Sequence, residues 1–120
     1  MTLKECYMAL GGDYDEVLAR LRSEKMVQKF VLKFLNDKSY ELLETSMETK
    51  NYEEAFRAAH TIKGVCQNLS FTKLYESSSR LTENLRSGYG EKTDSLVSQV
   101  AEDYKQTITA IKELQGENPV

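Results

Sequence analysis

NYEEAFRAAHTIKGVCQNL, residues 51–69, carries the chain's only histidine, His60, inside a repeat of apolar residues with helical period. Asn51 is suited to accept a hydrogen bond from the free N–H groups at a helix start, and Glu54, three residues on, to reach back to the Asn51 N–H. The helix is therefore expected to begin at Tyr52. At about 100° per residue, Ala55, Ala58, Ala59, Ile62, Val65, Cys66 and Leu69 fall within an arc of about 120°. That arc is the predicted buried stripe. His60 lies about 160° from its centre, with Phe56, Lys63, Gly64 and Gln67 around it, and is expected to face solvent.

Two neighbours make this exposed face unusual. Gly64 sits one turn after His60 in mid-helix, where glycine costs about 1 kcal/mol relative to alanine, and leaves bare backbone beside the ring. Lys63, three residues after His60, brings an ammonium within reach of anything bound to the imidazole. A nucleophilic imidazole, a cation and an approach free of side chains suit a phosphoryl group held on nitrogen. A solitary helical histidine is also ordinary solvated surface, so spacing alone does not decide between the two.

Outward from this helix the chain reads as further helices. A short helix is expected over residues 2–10, stopped by Gly11 and Gly12. Asp13 with Glu16 gives a second capping pattern before Val17, Leu18 and Leu21. Ser23 caps a core helix with Met26, Val27, Phe30, Val31, Phe34 and Leu35 at spacings of three and four. A polar break at 36–39 precedes a helix through Tyr40, Leu42, Leu43, Ser46 and Met47, whose short link to residue 51 predicts antiparallel packing on the His60 helix. After a break at 70–72, Leu74, Ser78, Leu81 and Leu85 keep register, and the small Ser77, Ser78 and Ser79 allow close approach to the His60 helix. SGYGEK at 87–92 is a loop. The last helix starts at Thr93, presents Leu96, Val97, Val100, Ala101, Tyr104, Ile108, Ile111 and Leu114 along one edge, and is expected to end at Gly116 and Pro119. The expected fold is an all-α, up-down four-helix bundle over about residues 23–115 with one or two short additional N-terminal helices covering one end over 2–22, in one domain of 1–120.

With 40% hydrophobic and 29% charged residues and no long apolar run, the chain reads as a soluble domain with no membrane insertion. Its N-terminal segment lacks a basic stretch followed by an apolar core and a cleavage site, so a cytoplasmic location is expected. A net charge of −3 gives no general attraction to nucleic acid. Cys6 and Cys66 are expected as separate thiols in a reducing compartment. One histidine and no close cysteine pair give no familiar metal-ligand spacing, so no metal site and no cofactor are expected.

AAHTIKG at 58–64, followed by CQNLSFTKL at 66–74, resembles the signature of histidine-containing phosphotransfer (HPt) domains of two-component phosphorelays. That family carries an Ala-His-x-Leu-Lys-Gly core and then an Asn-Leu-Gly-like turn into the next helix. GGDYDEVLARL near the start, the Phe30 and Phe34 helix, and the Leu74, Leu81 and Leu85 helix sit where family members carry similar segments, so the resemblance covers nearly the whole chain. One departure is Ser70, which stands where the family usually has glycine and would strain the turn at positive φ.

The resemblance implies a phosphorelay intermediate. His60 would be the phosphoacceptor, Lys63 would stabilise phosphoryl charge, and Gly64 would permit close approach. Gln67, and Thr82 on the neighbouring helix, are candidates to orient the ring or the phosphoryl oxygens. Phe56, Phe71 and Tyr75 are candidates for an apolar docking patch, against the ordinary alternative of core packing. The implied partners are response-regulator receiver domains and a hybrid sensor histidine kinase, with Mg²⁺ supplied by the receiver and this chain a monomeric phosphocarrier, not an enzyme. Three alternatives compete: a non-catalytic helical adaptor; an enzyme with His60 as general base, weakened because Cys66 lies about 120° away around the helix; and a piece of a chemotaxis-type histidine kinase, for which the chain shows no ATP-binding segment.

Overall fold

The structure, a computed structural model, describes residues 1–117, with side chains as far as Gly116. Among the described residues the chain is all-α, with no strand. Its helices are α1 (Leu3–Leu10), α2 (Tyr14–Leu21), α3 (Glu24–Lys33) continued by a 3₁₀ turn (Phe34–Asn36), α4 (Ser39–Glu48), α5 (Tyr52–Leu69), α6 (Thr72–Arg86) and α7 (Thr93–Glu117).

Local chemistry sets the boundaries. Thr2 opens α1 with a complete capping box: its hydroxyl accepts from the Glu5 N–H at 3.1 Å, and its own N–H donates to Glu5 Oε1 at 2.7 Å. Asp13, Ser23 and Asn51 each accept the N–H three residues on, at 3.0, 3.2 and 3.2 Å. The reciprocal half expected at two of these caps is absent. The Asn51 N–H donates instead to Ser46 O at 2.8 Å, which ties α5 to α4. The Asp13 N–H donates to Ser70 O at 2.9 Å, which leaves Glu16 available to bond elsewhere. At the other end of the chain, α7 runs through Gly116 to Glu117, because a glycine without a reversing turn weakens a helix without ending it. Pro119, the second expected stop, lies outside the described residues.

α5 packs against both α4 and α6, α6 against α7, and α1 along α7. The predicted stripe of α5 is buried except for Val65, which is half-exposed in an apolar recess shared with Leu21, Phe30, Phe34 and Leu69. In α3, Val27 and Val31 are buried, Met26 is exposed, and Phe30 is half-buried with the Lys33 ammonium 5.7 Å from its ring centre. Ser77 and Ser78 are buried in α6, their hydroxyls donating to Leu74 O at 3.3 and 2.7 Å, so small polar residues stay satisfied where helices approach closely.

An aromatic cluster fills the centre. Phe71 packs on Phe34 with ring centroids 5.2 Å apart and on Tyr7 at 5.6 Å, while Tyr104 stacks on Tyr40 at 4.0 Å. Both cysteines are free and buried. Burial pushes the Cys6 thiol up to about 11, with Glu113 adding to the effect, and pushes Cys66 far up as well.

The short N-terminal helices also brace the turn that follows α5. Ser70 ends α5 in the left-handed region, at φ 56° and ψ 40°. The Phe71 N–H donates to Cys66 O at 3.0 Å and the Ser70 N–H to Gln67 O at 3.3 Å, the paired bonds of a Schellman cap that glycine usually completes. Here the serine side chain is put to use. Its hydroxyl donates to Glu16 Oε1 at 2.6 Å and accepts from Arg20 Nη1 at 2.9 Å, while Arg20 Nη1 also donates to Asn68 O at 2.8 Å. From α1, the Tyr7 hydroxyl donates to Leu69 O at 2.7 Å. Gly12 makes this contact possible, since a Cβ there would stand 2.7 Å from Ser70 O and 2.8 Å from the Tyr7 ring.

Candidate functional site

His60 is held at mid-helix on α5 by a buried face that leaves its ring outside. Ala58, Ala59 and Ile62 anchor the backbone on one side, and the imidazole is exposed on the other. No described residue hydrogen-bonds to either ring nitrogen, and the ring's one aromatic neighbour among them is Phe56, one turn earlier, at a centroid distance of 6.1 Å. A Cβ on Gly64 would meet nothing within 4 Å, so the backbone one turn after His60 borders open space. Lys63 is half-buried and makes no ion pair with a described residue. An imidazole bonded to no described residue, a cation in no ion pair with one and an unobstructed approach are thus gathered on one face of one helix.

The supporting residues divide. Gln67 is exposed on the same stripe as His60 and Gly64, its side-chain amide bonded to no described residue. Thr82 is fully buried, and its hydroxyl donates to Ser78 O at 2.7 Å, so the orienting role expected for it does not hold. Its side chain points into the bundle. Phe71 likewise cannot form a docking patch: it is fully buried between Tyr7 and Phe34, because the left-handed Ser70 turns the chain inward. Tyr75 is half-buried against the core and has no ring contact with Phe56 or His60, so Phe56 alone of the three aromatics borders the imidazole.

Two residues of this face went unread in the sequence. Arg86 lies with its guanidinium 5.1 Å from the centre of the Phe56 ring, and it is bonded twice, each at 3.2 Å, to the carboxylate of Glu83. The hydrogen bond and charge of Arg86 hold the Glu83 carboxyl below its ordinary range, with smaller pulls of the same sign from Lys63 and His60. Glu83 follows Thr82 directly; a helical wheel for α6 built on its buried leucines would have turned 82 inward and 83 outward.

Among the described residues no group of three or more His, Cys, Asp or Glu side chains is placed to hold a metal ion, and no helix is long and apolar enough to cross a membrane. Comparison with known proteins gave one informative result. A family model described as the Hpt domain matches residues 31–113, while neither the curated proteins nor the solved structures gave a match. The members of this family are phosphocarriers, not catalysts, and work with receiver domains and kinases in phosphorelays. The matched segment covers more than half of the chain and contains the whole of α5 with its exposed histidine, and this chain belongs to the Hpt domain family.

Proposed function

We propose that this chain accepts a phosphoryl group from the aspartyl phosphate of one receiver domain onto His60 and passes it to the aspartate of another. The observation that carries the reading is the presentation of His60: an outward ring whose nitrogens are bonded to no described residue, set between Lys63 and the bare backbone of Gly64. In the forward step a ring nitrogen of neutral imidazole gives its lone pair to phosphorus. The P–O bond to the aspartate breaks, the carboxylate leaves with that electron pair, and the proton on the other ring nitrogen stays in place. The reverse sequence, on a second receiver, unloads the ring.

Little of this chemistry needs a catalytic group on the carrier. Alignment and charge stabilisation do most of the work in phosphoryl transfer. Lys63 offsets the charge of the incoming dianion, and Gly64 lets the receiver's loops come close. Mg²⁺ belongs to the receiver's acidic site. Phe56 and the stem of Arg86 supply an apolar footing next to the ring. The partners on this reading are response-regulator receivers and a hybrid sensor histidine kinase, met by a cytoplasmic monomer.

The test is to incubate the chain with a receiver carrying labelled aspartyl phosphate. Label should move to the chain, vanish in acid, persist in alkali, and fail to appear on His60→Gln. Acid lability follows because a protonated ring nitrogen makes imidazole a good leaving group. If His60→Gln takes up label as the parent does, the acceptor is another residue.

A further inference from the structure

The Glu83–Arg86 pair is held by more than its own charges. Two hydrogen bonds of 3.2 Å join carboxylate to guanidinium. The guanidinium in turn lies 5.1 Å from the Phe56 ring centre, and Phe56 lies 6.1 Å from the His60 ring. Moving the carboxylate away therefore means breaking both hydrogen bonds or lifting Arg86 from its ring.

We propose that Glu83 is a tuning residue: its fixed negative charge, pinned by Arg86 over Phe56, weakens the hold of His60 on a phosphoryl group and so keeps that group transferable. The inference rests on the phosphoacceptor reading above. Glu83 touches no reacting atom and acts through its field. A phosphoryl group on the ring adds a dianion, whose free energy the Glu83 charge raises and the Arg86 charge lowers. The net effect of the Glu83 charge is to make the phosphoryl group easier to lose. In hydrolysis the oxygen of water bonds to phosphorus, the N–P bond breaks with its electrons kept by the ring, and orthophosphate departs with the water's oxygen.

Phosphoramidate, which gives up its phosphoryl group and releases ammonia, can load the full chain without any receiver. The half-life of the label on His60 is then read at neutral pH. Glu83→Gln should lengthen it by about two- to fivefold, the scale of a solvent-exposed charge interaction, and should also free Arg86, an effect of the same sign. Arg86→Gln should shorten it, and the double variant should fall between the two. Raising salt from about 20 mM to about 500 mM should shrink these differences, as screening requires and a packing defect does not. Glu76→Gln is the matched control: Glu76 pairs with Arg80 at 3.8 Å, two turns earlier on the same face of α6, and its loss should leave the half-life unchanged. Equal half-lives for the parent, Glu83→Gln and Arg86→Gln overturn the inference alone. If the parent takes up no label on His60 from either phosphoramidate or a phosphorylated receiver, the phosphoacceptor reading falls and this inference with it.

Discussion

His60 and Ser70 stand ten residues apart on the same helix and are treated in opposite ways. Around Ser70 the hydroxyl, the carbonyl and the N–H are all bonded, to Glu16, Arg20, Asp13 and Gln67. Around His60 both ring nitrogens are left without a bond to any described residue. The fold spends its long-range contacts where the backbone is strained and leaves the reactive side chain uncommitted. Strain at a non-glycine left-handed position, of order 1–3 kcal/mol, is offset by bonds to residues 50 and 54 positions away in sequence. A phosphocarrier needs the opposite at its histidine, because any internal partner for the ring would compete with the receiver.

The contrast breaks most sharply with His60→Gln. This change should abolish uptake of label from a phosphorylated receiver and leave thermal unfolding within about 0.5 kcal/mol of the parent, since an exposed side chain without partners contributes little to stability. Gly12→Ala should do the reverse. With a Cβ 2.7 Å from Ser70 O, the α1–α2 turn must move off the α5–α6 turn, and denaturant titration should show a loss of about 2 kcal/mol or more.

Ser70→Ala keeps the left-handed strain and loses both side-chain hydrogen bonds, so it should cost about 1–2 kcal/mol. Ser70→Gly loses the same bonds but removes the strain, and should cost less than Ser70→Ala. A glycine variant as unstable as the alanine one would mean that strain at this turn is unimportant.

Gly64→Ala separates the two regions within a single substitution. The site is open helix surface, so alanine should stabilise the chain by about 1 kcal/mol in the same titration while slowing transfer from the receiver. Faster or equal transfer would remove Gly64 from the approach path. A separate test concerns pH. Burial raises the Cys6 pKa from its ordinary 9.0 to about 11, so the folded state holds this proton more tightly than the unfolded chain does. Its contribution is complete below pH 9.0 and is lost as pH climbs toward about 11, so unfolding followed over that window should show falling stability and Cys6→Ala a flatter profile.

The helices, most caps and the outward direction of His60 were legible in the sequence, because period and capping are local. Misreadings arose where a position depends on distant partners or on the angle around a helix. Phe71 was open to either docking or core packing; the left-handed turn at Ser70 sends it into the cluster with Tyr7 and Phe34. Thr82 was a candidate by its place on the neighbouring helix, and that does not fix direction around α6, where 82 turns inward and 83 outward. The bracing of Ser70 by Glu16 and Arg20 had no local signal, since Glu16 read as half of a capping box and bonds across the molecule instead.

The most direct measurement is transfer from a phosphorylated receiver to this chain with the labelled residue identified. The account predicts acid-labile, alkali-stable label on His60 and on no other residue. Label on a different side chain, or none while the receiver still binds the His60 face, would leave a helical adaptor in place of a carrier.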